Sequence, residues 1–443
     1  MSTPSLSSLP SDLPAPLGEP PALRRVPARH RLLSLPFSLY FFIILVLPVS
    51  ANGLKGALAA LVAASTFLLV MARGKLAVGR STLRVFLLMQ ATGLLWLLYG
   101  LIQNTPGAVF SLLIYLVWPL FYLVVFTEGV SSYRVYRTLR NLMVLTLGLL
   151  SAFILYFVLY SFGLAPATPL LELPFGQGLA KYQGFTAMRF YSISSMIFLI
   201  PYCISKVVLP ASTDSRLRRW VTALVVLLSL AAILFTGRRA ALFTLALGLP
   251  IALTLAQAAP SDFRIRLTRR FINAALAIAL ALTVTLTVSD TVRTGIMGVA
   301  SQVASSLFDP QQTSDDLVRV EQADSLIQGW IQRPLVGAGL GSTTGYIRSE
   351  RSWNYELQYH MHLFQIGLLG LALYSLGLLW IYRNGLRIIR RGGEASSEMI
   401  ALLTGLTCFL IANASNPYLQ AYGHLWVIFL PAALINLMKK GSH

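Results

Sequence analysis

Five arginines stand in polar segments or at the ends of apolar stretches, where a side chain can reach a charged ligand. They are Arg189, Arg238, Arg239, Arg319 and Arg348. A guanidinium group binds phosphate oxygens through two parallel hydrogen bonds and stays charged when it is partly removed from water. A single such arginine can instead extend to lipid headgroups or pair with a nearby acid such as Glu321 or Asp324. As a set, the five favour a bound anion, for which pyrophosphate is the natural candidate.

A carboxylate and two histidines lie together where a polar segment meets an apolar stretch. Glu356 stands between Tyr355 and Tyr359, which we interpret as ligand contacts, and it is a candidate general base. It could equally be an acid that the dipole of a following helix favours. Four residues further on, His360 is expected on the same helical face, with His362 beyond it. Each histidine is a candidate base, orienting group or ligand contact, or a packed interfacial residue.

The sequence contains no Cys/His cluster with metal-ligand spacing, and we predict neither a metal nor a cofactor. Cys203 and Cys408 both lie in apolar runs and are interpreted as packing residues. Residues 334–341, Pro-Leu-Val-Gly-Ala-Gly-Leu-Gly, superficially resemble a dinucleotide-binding loop. Because no strand precedes them, we interpret them as a tight backbone turn that allows close approach of another chain segment.

The composition predicts an all-α polytopic membrane protein. Hydrophobic residues make up 56% of the 443 residues and charged residues only 12%, against about 25% charged in soluble domains. A helical crossing needs about 20 apolar residues, and continuous apolar runs argue against the short alternating segments of a β-barrel. About twelve such runs start near residues 33, 53, 83, 106, 141, 190, 219, 240, 271, 358, 397 and 422.

The basic residues behind the net charge of +19 are distributed unevenly between the two sides of these predicted crossings. If the N-terminus is cytoplasmic and every run crosses, most of the 35 basic residues lie in inner segments, including a short connection at residues 133–140. Fewer than half of the 16 acidic residues do. This distribution obeys the positive-inside rule, so we predict cytoplasmic termini, a lipid bilayer as partner and no nucleic acid. Arg238 and Arg239, in an outer turn, run against the rule.

The predicted organisation has four parts. Residues 1–30 form a disordered cytoplasmic tail, and residues 31–289 hold nine crossings with an outer loop at 163–189. Residues 290–357 form a large outer loop, and residues 358–438 hold the last three crossings. Within the large loop, apolar side chains recur at helical spacing, which predicts a helix. They are Leu317, Val320, Ala323, Leu326, Ile327 and Trp330.

Several motifs resemble the O-antigen polymerase and ligase superfamily, the Wzy-type polymerases and WaaL-type ligases. Thr236-Gly-Arg-Arg-Ala-Ala-Leu242 is similar to the family's turn before a helix, with Arg239 in the arginine position. Arg319 is followed by Arg333-Pro-Leu-Val-Gly-Ala-Gly-Leu-Gly341 and, later, Gly367-Leu-Leu-Gly370, as in the family. The resemblance spans most of the chain and is specific over residues 180–370. The ligase histidine falls on Glu356, and residues 355–359 are similar to the polymerase version.

This resemblance implies a GT-C-like fold and a metal-independent, inverting glycosyltransferase of the bacterial inner membrane, with a periplasmic active site. Its donor is a glycan on polyprenyl diphosphate, and its acceptor is the terminal sugar hydroxyl of another lipid-linked repeat unit. A chain-length regulator protein is a further candidate partner. Glu356 accepts the acceptor's proton with help from His360, and Tyr355, Tyr359 and His362 contact substrate. Arg189, Arg239 and Arg319, with Arg238 and Arg348 as second choices, bind the diphosphate.

Two alternatives stay open. A ligase would use the same donor and transfer the glycan to lipid A–core, and His360 or His362 could then supply the missing histidine. A flippase or transporter would show internal repeats and charged residues near the bilayer midplane. We identify no clear repeat in the sequence, and the charges gather at the ends of the apolar runs.

Overall fold

The computed structural model describes residues 28–161, 163–172, 178–182, 185–211, 213–234, 236, 238–261, 314–346 and 351–440. Within these residues the protein is helical apart from one short β-hairpin. Seven of the described helices are long and apolar enough to cross a membrane, and three further apolar helices are shorter. The structure therefore agrees with an α-helical membrane protein.

The first part of the chain contains six helices. They are α1 (Ala28–Val46), α2 (Asn52–Arg73), α3 (Arg80–Ile102), α4 (Ala108–Leu112), α5 (Trp118–Gly129) and α6 (Tyr133–Ser161). A π-helical turn at Leu113–Val117 joins α4 to α5, so that Ala108–Gly129 forms one continuous apolar rod. The predicted basic connection at residues 133–140 is instead the first two turns of α6.

The next part begins in the predicted loop at residues 163–189, which contains a 3-10 turn at Pro169–Glu172 and two strands. Strand β1 (Gly178–Tyr182) pairs antiparallel with β2 (Phe185–Arg189), in a register that places Gly178 opposite Arg189. This hairpin was not predicted, but the fold class stays α-helical. Helices α7 (Ile193–Val208), α8 (Arg216–Leu234) and α9 (Arg239–Ala256) follow.

The last part contains α10 (Ser314–Gln332), α11 (Gln358–Arg391), α12 (Gly393–Ala412) and α13 (Trp426–Lys440). Two 3-10 turns, Tyr418–Gln420 and Tyr422–His424, form the connection between α12 and α13. Eleven of the twelve predicted apolar runs coincide with described helices, if α4 and α5 count as one. The run near residue 271 lies outside the described residues.

Helix α10 forms where helical spacing predicted it, and its apolar residues differ in burial along the helix. Leu317 and Val320 are exposed, whereas Leu326 and the polar Gln322 are buried. Leu326 packs with Tyr355, which precedes α11, and with Met361 and Phe364 in the first turns of α11. The predicted helix is therefore confirmed, and its apolar residues near the N-terminal end are exposed.

Helices α7 and α12 form the centre of the described bundle. Almost every residue of both helices is buried, and the two pack against each other as well as against α9. Small residues permit the close contact. A Cβ atom added at Gly405 would come within 2.8 Å of the carbonyl oxygen of Phe198. The two cysteines, Cys203 and Cys408, are buried in this centre and are not bonded to each other, as predicted.

A cluster of ionised side chains is buried at one end of this centre. The carboxylate of Glu398 (α12) accepts hydrogen bonds from Arg140 at 2.8 Å and Lys206 at 2.9 Å. It also accepts hydrogen bonds from the hydroxyl groups of Tyr136 and Tyr202, at 3.0 and 2.9 Å. Asp214 lies beside the same two cations, and its position in the α7–α8 connection extends the network to that segment. We call Arg140, Lys206, Asp214 and Glu398 the buried charge cluster.

All four residues of the buried charge cluster fall in segments that the charge pattern predicts on the cytoplasmic side. The structure pairs them with one another inside the helix bundle. Burial by itself would raise the pKa of Asp214. The charges of Lys206 and Arg140, with hydrogen bonds from Arg218 and the Ala211 N–H, outweigh burial and hold that pKa below its usual range.

The glycine-rich residues 334–341 form a strap that passes between α3 and a break in α11. Gly367 breaks α11 with a left-handed backbone, and the N–H groups of Ala338 and Leu369 bond across the break to Phe364 and Leu335 at 2.8 and 3.0 Å. On the α3 side, the N–H of Gly107 donates to the carbonyl of Gly341 at 3.0 Å. The predicted tight turn with close backbone approach is confirmed.

Replacing Gly341 with alanine is expected to destabilise the protein by about 1–3 kcal/mol. The backbone of Gly341 is left-handed, with φ +81°, and an added Cβ would overlap the backbone of Gly107. The matched control is Gly345→Ala, since nothing lies within 4 Å of a Cβ there. Thermal unfolding of the detergent-purified variants checks the prediction. Equal midpoints for the two variants would contradict it.

Candidate functional site

Two residues singled out from the sequence, Arg319 and Glu356, form an ion pair. Arg319 lies in α10, and Glu356 lies in the segment that precedes α11. The Nε–H of Arg319 donates to Oε2 of Glu356 at 3.1 Å, and both side chains are about a third exposed, at 32% and 31%. The candidate base and one candidate diphosphate-binding arginine are therefore direct neighbours, partly accessible to water.

Gln322, one turn after Arg319, holds the backbone at Glu356. Its side-chain oxygen accepts hydrogen bonds from the N–H groups of Glu356 and Leu357, at 2.8 and 3.1 Å. Leu357 is the residue before the first turn of α11, where backbone N–H groups lack partners within the helix. Gln322 was not predicted as a site residue. The one sign of its role is structural, because its amide side chain is buried on a helix that is otherwise amphipathic.

Glu356 precedes α11, which begins at Gln358. The expectation that Glu356 and His360 share one helical face is therefore wrong. His360 lies in the first turn of α11, and its Nδ1 is buried with no hydrogen-bond partner among the described residues. His362, in contrast, has hydrogen-bond partners. Its Nε2 lies 3.0 Å from the Tyr115 hydroxyl and 2.7 Å from the Gln358 amide nitrogen.

The two tyrosines beside Glu356 have structural partners. The hydroxyl of Tyr355 accepts a hydrogen bond from the N–H of Thr344 at 2.6 Å, and its ring packs against Phe364. Burial raises the pKa of Tyr355, and the hydrogen bonds with Thr344 reduce that rise. The hydroxyl of Tyr359 donates to the carbonyl of Leu410, near the end of α12, at 2.6 Å. The predicted substrate contacts of Tyr355 and Tyr359 stay predictions.

Tyr418 lies in the α12–α13 connection, where its ring packs against Phe409 and His424 with centroid distances of 5.5 and 5.6 Å. Burial raises the pKa of Tyr418, and the positive charges of Arg238 and Arg319 oppose the rise. We call Arg238, Arg319, Glu356 and Tyr418 the candidate site. Sequence analysis noted three of them and missed Tyr418.

Side-chain contacts fasten the α12–α13 connection to the start of α11. The amide nitrogen of Gln420 donates to the side-chain oxygen of Gln358 at 3.1 Å and lies 3.0 Å from the sulfur of Met361. The N–H of Leu419 donates to the side-chain oxygen of the fully buried Asn413 at 3.1 Å. Tyr418 is thus held in place relative to Glu356 by residues on both sides of it in the chain.

The structure describes the other four predicted arginines only in part. Arg189 is the last residue of β2, and Arg239 is the first residue of α9, but both side chains lie outside the described residues. Arg348 lies outside them altogether. Arg238 is described, half-buried, directly before α9. In the part of the chain that the structure describes, no group of three or more His, Cys, Asp or Glu residues could hold a metal ion.

The candidate site combines two guanidinium groups, one carboxylate and one phenol. A guanidinium group can hold an oxyanion, and the carboxylate beside Arg319 can accept a proton. No protein-family model matches the chain, and neither a curated protein nor a solved structure matches it. The function is therefore argued from the site and the sequence motifs.

Proposed function

We propose that the protein is a membrane glycosyltransferase that polymerises O-antigen or exopolysaccharide repeat units. It transfers a glycan from polyprenyl diphosphate to the terminal sugar hydroxyl of another lipid-linked repeat unit. The observation that carries the proposal is the ion pair between Arg319 and Glu356. A diphosphate and the hydroxyl that displaces it must lie within a few ångströms of each other, and the candidate site offers a partner for each.

The proposed reaction is a single in-line displacement. The acceptor oxygen forms a bond to the anomeric carbon while the bond from that carbon to the diphosphate oxygen breaks, so the configuration inverts. The acceptor's proton passes to the carboxylate of Glu356, and the electron pair of the broken bond leaves on the diphosphate. Arg319 and Arg238 stabilise the charge that develops on the leaving group. No other reactant is needed for the balance of atoms and charge.

The pairing of Arg319 with Glu356 suits the role of Arg319 as a diphosphate ligand and the role of Glu356 as the general base. A guanidinium group carries five N–H donors in a rigid fork, so Arg319 can orient the carboxylate through Nε and still direct other N–H groups at an oxyanion. Gln322 fixes the backbone of Glu356 independently of that pair. The base is thus held by two contacts before any substrate binds, which reduces the reorganisation that the reaction requires.

The membrane arrangement belongs to the same proposal. We place twelve crossings in the bacterial inner membrane, both termini in the cytoplasm, and the candidate site on the periplasmic side, with residues 290–357 as the large loop. Support comes from the distribution of basic residues and from the position of the site. Arg238, Glu356 and Tyr418 stand where α9 begins, before α11 begins and after α12 ends. A chain-length regulator is the proposed protein partner.

An O-antigen ligase is the second candidate, and one observation favours it. Nδ1 of His360 is buried without a hydrogen-bond partner among the described residues, which suits a histidine that orients an acceptor hydroxyl in the bound state. The ligase would use the same donor and the same arginines, but its acceptor would be lipid A–core.

Complementation of a deletion strain distinguishes these activities. We expect the strain without the protein to carry surface glycan of a single repeat unit, and the wild-type gene to restore a ladder on a gel. Long chains that remain on the lipid carrier in the deletion strain would instead indicate a ligase. Accumulation of lipid-linked single units on the cytoplasmic side would indicate a flippase and contradict both candidates.

A further inference from the structure

The strap is not helical, yet most of its backbone carbonyl groups accept hydrogen bonds from described residues, namely those of residues 334–336 and 338–341. Two of the donors are the N–H groups of Leu368 and Leu369, which bond to the carbonyls of Pro334 and Leu335 at 3.0 Å each. In the hydrocarbon of a membrane, irregular backbone is stable only where its polar groups find partners inside the protein. These carbonyl groups of the strap meet that condition.

Four large apolar side chains at the strap are exposed. Leu335 is 65% exposed and Val336 43%, and Leu368 and Leu369, at the break in α11, are 46% and 50% exposed. The hydrogen bonds from α11 to the strap place these residues next to one another. We call the four residues the strap surface. A contiguous apolar surface that faces outward marks a place where the protein contacts apolar material.

A group of polar side chains lies beside the strap, near the end of α3. The guanidinium group of Arg333, directly before the strap, donates to the Tyr99 hydroxyl at 3.0 Å and to the side-chain oxygen of Gln103 at 3.5 Å. Arginine and tyrosine are typical of the level of the lipid headgroups, because each combines an apolar stem with a polar tip. Helix α3 is a candidate membrane span that ends at Ile102. Arg333 and Tyr99 therefore indicate the membrane boundary.

The contacts of the strap with α3 lie deeper than this boundary. The indole N–H of Trp96 donates to the carbonyl of Val336 at 2.7 Å, and the carbonyl of Trp96 accepts the N–H of Leu340 at 3.2 Å. Trp96 stands six residues before Ile102, which corresponds to about 9 Å of helix. Leu95, beside Trp96, is 61% exposed, as a lipid-facing residue of a spanning helix is. The strap surface therefore continues the lipid-facing surface of α3.

We propose that the strap dips below the lipid headgroups into the bilayer hydrocarbon, where Leu335 and Val336 contact lipid acyl chains. The inference goes beyond the proposed function and uses only the crossing of the membrane by α3 and α11. It revises the predicted loop at residues 290–357, because part of that loop then lies in the membrane rather than in water. Helix α10 ends at Gln332, two residues before the strap, so this contact holds the end of α10 at the membrane surface.

The test measures collisions of a nitroxide spin label with two reagents, on the full-length protein in nanodiscs. Oxygen concentrates in hydrocarbon, whereas a water-soluble nickel chelate is excluded from it. The label is attached to Leu335→Cys and, separately, to Val336→Cys, whose exposed positions tolerate it. Leu95→Cys is the lipid reference, and Asp324→Cys, at an exposed acid of α10, is the water reference. We expect both strap positions to match the oxygen-to-nickel ratio of Leu95→Cys and to exceed that of Asp324→Cys several-fold.

Two results would overturn the inference. A ratio as low as that of Asp324→Cys at the strap positions would place the strap in water. Few collisions with either reagent would show that protein, such as a second copy of this chain, covers the strap surface. Wild-type protein, whose two cysteines are buried, reports any unspecific labelling. The measurement does not involve glycan transfer, so neither result bears on the proposed function.

Discussion

The Glu356→Gln variant is expected to insert into the membrane in normal amount and to lose glycan transfer by a factor of about 10²–10⁴, the range that general-base catalysis contributes. Glutamine has the same shape, and its side-chain oxygen can still accept the hydrogen bond that Arg319 donates at 3.1 Å. The backbone contact with Gln322 does not involve the side chain of residue 356. The substitution therefore removes the proton acceptor and leaves the local fold intact.

The measurement is the glycan ladder of a complemented deletion strain, together with the amount of protein in the membrane. The matched control is Glu321→Gln, because Glu321 is an exposed carboxylate on the same helix as Arg319. It should give a full ladder. His360→Ala, made in parallel, tests the second candidate base. A full ladder from Glu356→Gln, with none from His360→Ala, would move the proton acceptor to the histidine and contradict the role of Glu356.

A second large effect is expected at the buried charge cluster, where Glu398→Gln should lower the free energy of unfolding by about 3–5 kcal/mol. The carboxylate of Glu398 is fully buried, and each of its oxygens accepts two hydrogen bonds. Removing its charge leaves Lys206 with Asp214, and Arg140 with Asp214 and the more distant Glu394, at 3.7 Å, to balance them. Uncompensated charge in a low-dielectric interior is costly because no water replaces the lost partner.

A double-mutant cycle tests this explanation. Lys206→Met removes one of the two cations, so the double variant should be destabilised by less than the sum of the single variants, with a coupling of about 0.5–3 kcal/mol. Asp324→Asn is the control, since Asp324 is an exposed acid, and it should leave stability unchanged. Unfolding in mixed micelles with increasing SDS content gives the free energies. Additive effects would show that the cluster does not act as a unit.

The two sets of substitutions should have separable effects, because the cluster and the candidate site stand at different ends of α12. Glu398 lies in the second turn of α12, and Tyr418 lies after its end. Fourteen residues separate Glu398 from the last residue of α12, which corresponds to about 21 Å of helix. At that distance, Glu398→Gln should reduce the amount of folded protein, whereas Glu356→Gln should reduce the activity of protein that is folded.

Sequence alone determined the class of fold and most helix positions. Local composition and run length decide whether a segment can be a membrane helix, so α2, α3 and α13 stand close to their predicted starts. The positive φ angles that residues 334–341 need are also a local property, since only glycine adopts them at no steric cost. The polar residues that gather before α11 could also be recognised, because polarity is another local property of the sequence.

Only the tertiary structure decided which polar groups meet. Arg319 and Glu356 are 37 residues apart, and Arg140 and Glu398 are 258 apart. The charge pattern assigned Arg140 and Glu398 to cytoplasmic segments but did not indicate that they pair, and the packing of α6, α7 and α12 brings them together in the interior.

The physical reason is the solvent that surrounds the helices. In water, an amphipathic pattern shows which face of a helix points inward. In a membrane, lipid chains are as apolar as the protein interior, so lipid-facing and buried faces have similar residues. Pairing between helices then depends on small residues, glycine contacts and buried polar groups such as Gln322 and Glu398. These depend on three-dimensional packing, so the chain's periodicity could indicate helices but not the neighbours of each helix.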